Sequence, residues 1–252
     1  MSSIAPRRVI AVTCLAFEAR IACGDGVIVL CNAQQQGLRA AVRGALAGAD
    51  GVISFGVAGG LDTRLRPGDW VVASGVRGAS GVVSADERWA RHLREALPGA
   101  ICAEVRGVDH PVANARAKAA LGREHPAVAV DTESHVVAEE AVRAGIPFAA
   151  ARVVLDPVWR SLPAAALVPL RLDGTPDVAA VARSVLRAPR QLPDLGLITL
   201  DAWRALGALR RGRAHLGAGL AFPAAEPAVE ASEPIVADEP ATDLAGECAV
   251  AV

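Results

Sequence analysis

The sequence predicts a three-layer α/β domain, and three observations carry that prediction. Short valine-rich apolar runs alternate with segments of helical period from residue 8 to residue 156. Glycine and proline punctuate the junctions, as at Gly48, Pro67-Gly68 and Gly145-Ile146-Pro147. Beyond residue 162 the apolar pattern is helical only.

RVIAVTC (residues 8–14) reads as a buried first strand. LAFEARIA after it is a turn into a short helix, with Glu18 just past the strand end. GVIVLC (26–31) is a second strand, and a helix over 35–46 stops before Gly48. Residues 51–55 form strand three, which runs into Gly56-Val57-Ala58-Gly59-Gly60, read as a loop almost without side chains. The turn Arg66-Pro67-Gly68 introduces a strand over 69–74. Trp89, Leu93 and Leu97 recur at i, i+4 and i+8 and define a helix over 85–97. Residues 101–108 then read as strand and 113–121 as helix. AVAV (127–130) is a strand, and Asp131-Thr132-Glu133-Ser134 supplies the side chains that cap a following helix. Val136, Val137, Ala141 and Val142 carry that helix up to Gly145-Ile146-Pro147. The last strand starts at Phe148 and ends at Asp156, which Pro157 biases towards extended backbone.

Helical segments over 162–216 are broken at Gly174-Thr175-Pro176, Pro189 and Pro193. The last reads as amphipathic, with Leu200, Trp203, Leu206 and Leu209 on one side and Arg210, Arg211 and Arg213 near its end. Such a helix either closes the edge of a core, its arginines matching the negative helix terminus, or faces a lipid surface. From Phe222 the chain is acidic, Ala/Pro-rich and aperiodic. A domain over residues 1–221 and a disordered tail over 222–252 are expected.

A chain of 252 residues suffices for one large domain with a well-buried core. With 52% hydrophobic residues and a formal net charge of −1, it lacks the basic surface that holds nucleic acid. Glu18 and Arg20 interrupt the N-terminal apolar run too early for a signal peptide or a membrane span. Five scattered cysteines, an odd number, argue for reduced thiols and a cytoplasmic protein. The five histidines are dispersed without zinc-ligand spacing, so no metal is expected.

Glu18, the 56–60 glycine stretch, Glu133 and Asp156 all fall at strand ends, where α/β sheets bind ligands. A carboxylate there can equally cap a helix or pair with a cation. The glycine stretch reads G-x-x-G-G, which is not the dinucleotide pattern, and no Lys-Ser/Thr follows to make a phosphate loop. It is either a tight strand-to-helix turn or backbone brought close to a ligand.

Together these segments resemble a known family. Glu18 past the first strand, FGVAGGL (55–61) with RPGDWVV (66–72), VDTESHVVA (130–138) and RVVLDP (152–157) are similar, in that order, to motifs of the purine nucleoside phosphorylase and methylthioadenosine nucleosidase superfamily. LDPVWRSLPAAAL (155–167) and APRQLPDL (188–195) resemble its hopanoid-associated branch. The resemblance runs from Arg8 to Arg213 and implies an α/β/α nucleoside phosphorylase-like fold with a central mixed sheet and a helical C-terminal part. It also implies an enzyme that cleaves an N-ribosidic bond and releases a purine, adenine from adenosylhopane in the narrower branch.

The implied roles follow from the chemistry. As the bond stretches, the sugar becomes cationic and the purine anionic, so an acid beside the base lowers the barrier. Asp156 matches that acid, provided its pKa is raised by desolvation beside Val153, Val154 and Leu155. Glu133 matches the glutamate that holds the ribose hydroxyls. Glu18 matches the one that positions and deprotonates water in hydrolytic members. Arg152 matches an arginine near the nucleophile, or else pairs with a neighbouring carboxylate. Gly56, Val57, Ala58 and Gly59 match substrate-binding backbone, and Thr132 stands where nucleosidases often have methionine under the ribose. Phosphorolytic members often carry a hydroxyl residue in the glycine stretch and an arginine before it. Val57 and Ser54 stand here instead, and Glu18 would repel a phosphate dianion. Water is thus favoured as nucleophile, with phosphate the alternative co-substrate, and no other cofactor is implied. The implied partner is a small purine nucleoside, lipid-linked in the narrower branch, with residues 162–170 and the 195–209 helix face as apolar routes for a tail. Peripheral contact with the inner membrane and a homo-oligomer belong to the same expectation.

Overall fold

All five residues of the first strand, β1 (Val9–Thr13), are buried, so both of its faces must be covered. The computed structural model describes residues 8–32, 35–171 and 173–223 and shows what covers them. Val9 and Ala11 enter one core with Trp89, Leu93 and Leu209, while Ile10 and Val12 enter another with Leu38, Val42 and Val137. This two-residue alternation makes the sheet the middle of three layers, as predicted. After β1 come α1 (Ala16–Ala22), β2 (Val27–Cys31), α2 (Gln35–Ala45), β3 (Gly51–Gly60), β4 (Trp70–Gly78) and β5 (Gly81–Ser84). Next are α3 (Glu87–Ala96), β6 (Ile101–Gly107), α4 (Ala115–Glu124), β7 (Ala129–Asp131), α5 (Ser134–Ala144) and β8 (Phe148–Asp156). The helical part holds α6 (Val178–Arg187) and α7 (Leu192–Leu216).

The sheet is mixed, in the order β2-β1-β3-β7-β6-β4-β5, with β8 pairing both β3 and β4. Strands β3, β8, β4, β6 and β7 therefore close into a ring. The first half of β3 pairs with β1 up to Ser54, and its end pairs with β7 at Gly59 and Gly60. Between those two partnerships the sheet opens beside Gly56 and Val57. Such a divergence of neighbouring strands is where α/β sheets leave a crevice.

Several expectations change. The stretch 56–60 is strand, not loop or turn to a helix, because β8 pairs with β3 along almost its whole length and β7 takes up its end. The hairpin strand β5 was not read from the sequence; it pairs antiparallel with an extended β4. Pro193 sits in the first turn of α7, where its missing N–H costs nothing, so it begins the helix instead of breaking it. Val142 is exposed, and so are Leu200 and Trp203. The buried face of α7 is instead Ile198, Asp201, Ala205, Ala208, Leu209, Gly212 and Leu216. A Cβ on Gly212 would come within 2.4 Å of the Trp70 ring, so small residues let α7 approach the sheet closely. Arg213 donates to the carbonyls of Ala22, Cys23 and Gly217 at the ends of α1 and α7, as the core-edge reading of this helix expects, while Arg210 and Arg211 are exposed. Phe222, assigned to the tail, packs edge-on against Trp89 with ring centroids 4.8 Å apart. From residue 224 onward the expected tail lies outside the described residues.

Candidate active site

Glu18 lies at the opening between β1 and β7. As the third residue of α1 it turns back over the helix start, where Oε2 accepts from the N–H groups of Cys14 (3.0 Å) and Leu15 (2.8 Å). Oε1 accepts from the N–H of Val57 on β3 (2.7 Å). The carboxylate rests on Gly56, whose φ is +151°; a Cβ there would come within 2.3 Å of Oε1. Burial pushes the Glu18 carboxyl up to about 7, with nearby Glu133 adding to the shift and Arg152 and the N–H donors opposing it. A carboxyl that exchanges its proton near neutrality suits a general base for water.

On the other side of the opening, Asp131 ends β7 and organises the turn into α5. Its Oδ1 accepts from the N–H of Ser134 (2.9 Å) and of Glu133 (3.2 Å). Arg152, fully buried on β8, pairs through Nε with Asp131 Oδ2 (2.7 Å) and through Nη2 with Glu133 Oε2 (3.2 Å). The guanidinium also donates to the hydroxyl of Ser54, and Thr132 donates its hydroxyl to Glu133 Oε1. Burial pushes the Glu133 carboxyl up against the pull of Arg152, with Asp131 adding to the rise.

Asp156 ends β8, buried beside Val153 and Val154, and burial raises its carboxyl pKa. The opposing influence comes from Lys118 on α4, which is fully buried and bonds Asp156 Oδ2 directly. The same ammonium donates to the carbonyls of Pro157 (3.1 Å) and Arg160 (2.7 Å). It thereby holds the segment that follows the strand.

Glu18, Thr132, Glu133, Asp156, Val57, Ala58 and Gly59 all line one cavity of about 420 Å³, together with Asp131. Gly56 and Arg152 do not line it: Gly56 lies under the Glu18 carboxylate and Arg152 under Asp131 and Glu133. The lining also includes the apolar Val108, Pro111, Val112, Leu162, Leu167 and Leu170, with Asp109 and His110 beside the first of them. Residues 162–170 thus reach the cavity, whereas α7 contributes nothing to it, because α7 packs into the opposite core with Trp70 and Leu97. Sequence reasoning missed Asp131, although it adjoins Thr132 and Glu133, and it missed Lys118.

A family model described as the phosphorylase superfamily matches residues 21–183, well over half of the chain. No curated protein sequence matches it. Among solved structures, the chain is similar to a 5′-methylthioadenosine/S-adenosylhomocysteine nucleosidase from Neisseria meningitidis bound to methylthio-immucillin-A. The identity is 15%, over 72% of this chain and 99% of that one, with a TM-score of 0.57. The Helicobacter pylori enzyme of the same name is 12% identical over 84% of this chain and 97% of its own, with a TM-score of 0.59. Futalosine hydrolase of Helicobacter pylori is 14% identical over 82% and 97%, with a TM-score of 0.57. The chain belongs to the phosphorylase superfamily. It is an enzyme of that superfamily.

Proposed function

We propose that the protein hydrolyses the N-ribosidic bond of a purine nucleoside with an apolar 5′ substituent, releasing adenine from adenosylhopane in hopanoid biosynthesis. The observation that carries this reading is one cavity that Glu18, Glu133 and Asp156 line together with the apolar side chains of Leu162, Leu167 and Leu170. Glu133 takes the ribose hydroxyls, Asp156 faces the purine and Glu18 draws a proton from the attacking water. Hydrolysis is favoured over phosphorolysis because no lysine or arginine is among the described residues lining the cavity, and Arg152 is occupied by two carboxylates. A lipid tail would leave along residues 162–170. α6 packs on that segment and exposes Val178 and Leu186, which supports contact with a lipid surface. No helix among the described residues is long and apolar enough to cross a membrane.

The test is adenine release from adenosylhopane in detergent, with and without phosphate, by the wild type and Asp156→Asn. Release without phosphate that drops at least about 100-fold in the variant is expected. Strict phosphate dependence would reverse the choice of nucleophile. Turnover of methylthioadenosine but not of the lipid would make this a soluble-nucleoside enzyme, as the names of its structural neighbours would suggest. Binding without any turnover would leave a nucleoside-binding protein.

A further inference from the structure

Lys118 is the only lysine in a chain with 26 basic residues; every other one is arginine. It is fully buried, with Nζ held among Asp156 Oδ2 and the carbonyl oxygens of Pro157 and Arg160. If the position only had to hold a carboxylate, arginine would serve at least as well, through two parallel N–H bonds. Arginine cannot give up a proton at any ordinary pH, and lysine can.

We propose that Lys118 supplies, through Asp156, the proton that the departing purine takes up. This rests on the reading of Asp156 as the acid. As the bond from C1′ to the purine nitrogen breaks, its electron pair stays with the base. A proton leaves Nζ for the Asp156 carboxylate and passes from there to a ring nitrogen of the purine. Lys118 is left as a neutral amine and Asp156 as a carboxylate. Water forms the new C–O bond at C1′ and gives its proton to Glu18, and exchange with solvent then returns one proton to Lys118 and removes one from Glu18. The departing purine anion is a much stronger base than a carboxylate, so an ammonium is the better-matched source. Asp156 touches the base in this scheme, and Lys118 acts only through it.

Asp201 approaches from α7, pairs with Arg160 (2.9 Å) and lies 3.8 Å from Arg204. Glu18, Asp109, His110, Asp131 and Glu133 share the cavity with Asp156, and Arg66 stacks over Trp159. All of them stay constant across the variants compared.

A single lysine makes the test direct, because protein grown with lysine labelled by ¹⁵N at Nζ gives one side-chain signal. The expected result is that kcat for adenine release falls at alkaline pH with the same midpoint as the titration of that signal. Lys118→Met keeps the length and burial and leaves the proton on Asp156 alone. Its alkaline limb should move down by at least about one pH unit, because a carboxyl loses its proton before an ammonium does. Lys118→Arg keeps the charge but cannot pass a proton, so kcat should fall about tenfold or more at every pH. An arginine variant with wild-type kcat, or a methionine variant with an unmoved limb, would overturn the relay and leave Lys118 a purely structural partner. If either variant fails to melt cooperatively, the match or mismatch of the two wild-type midpoints decides alone. No release by the wild type from adenosylhopane or methylthioadenosine overturns the proposed function and the relay together, whereas release with mismatched midpoints overturns the relay only.

Discussion

Glu18 and Asp156 line the same cavity, and both are buried carboxylates, yet the fold holds them in opposite ways. Three neutral backbone N–H groups hold Glu18, and the nearest guanidinium, that of Arg152, is engaged by Asp131 and Glu133. Asp156 is held by an ammonium in direct contact. Backbone dipoles fix the position of a carboxylate without neutralising it, so burial still dominates and Glu18 is pushed up to about 7. A contacting cation fixes the position and also carries a proton of its own. On the proposed reading, the difference lets one crevice host a proton acceptor at one end and a proton donor at the other.

The largest expected effect breaks the acceptor end. Glu18→Gln should lower kcat about 10³-fold, within the usual range for a general base, and abolish the rise in rate as pH climbs towards 7. The same variant tests the sign of the linkage. The folded wild type keeps a proton on Glu18 that the unfolded chain loses near 4.5, so stability is lost as pH rises from 4.5 to about 7. That loss, on the order of 3 kcal/mol, should be absent from melting curves of the glutamine variant across this window. Next in size is Gly56→Ala, whose new Cβ would displace the carboxylate from Val57. A drop of about 100-fold in kcat and about 2 kcal/mol in stability is expected from kinetics and denaturant melts. The smallest effect should come from Asp201→Asn, which loosens Arg160 behind Asp156 and leaves Glu18 untouched. A change of only a few-fold in kcat, with the acid limb unmoved, would confirm that the two ends respond separately.

Much of the site was legible because its carboxylates occupy positions that any α/β chain marks. Each of Glu18, Glu133 and Asp156 follows a valine-rich strand, and each strand end reaches the crevice. Lys118 was not legible, since a lysine within RAKAALG looks like the solvated face of a helix. Only the packing of α4 against the segment after β8 buries it. The amphipathic reading of α7 failed for a related reason. Large side chains such as Trp203 mark a hydrophobic face by pattern, but a helix laid close on a sheet presents small residues, here Ala205, Ala208 and Gly212.

By itself, the sequence determined the alternation of strands and helices, the three layers and the carboxylates at the strand ends. Those follow from local periodicity, capping and burial, which act over a few neighbouring residues. Tertiary structure alone decided that the glycine run is strand, that Arg152 lies under two carboxylates and that Lys118 meets Asp156. Each of these depends on which distant segments share a boundary, and electrostatic and hydrogen-bonding partners in a buried site are set by that proximity, not by spacing along the chain.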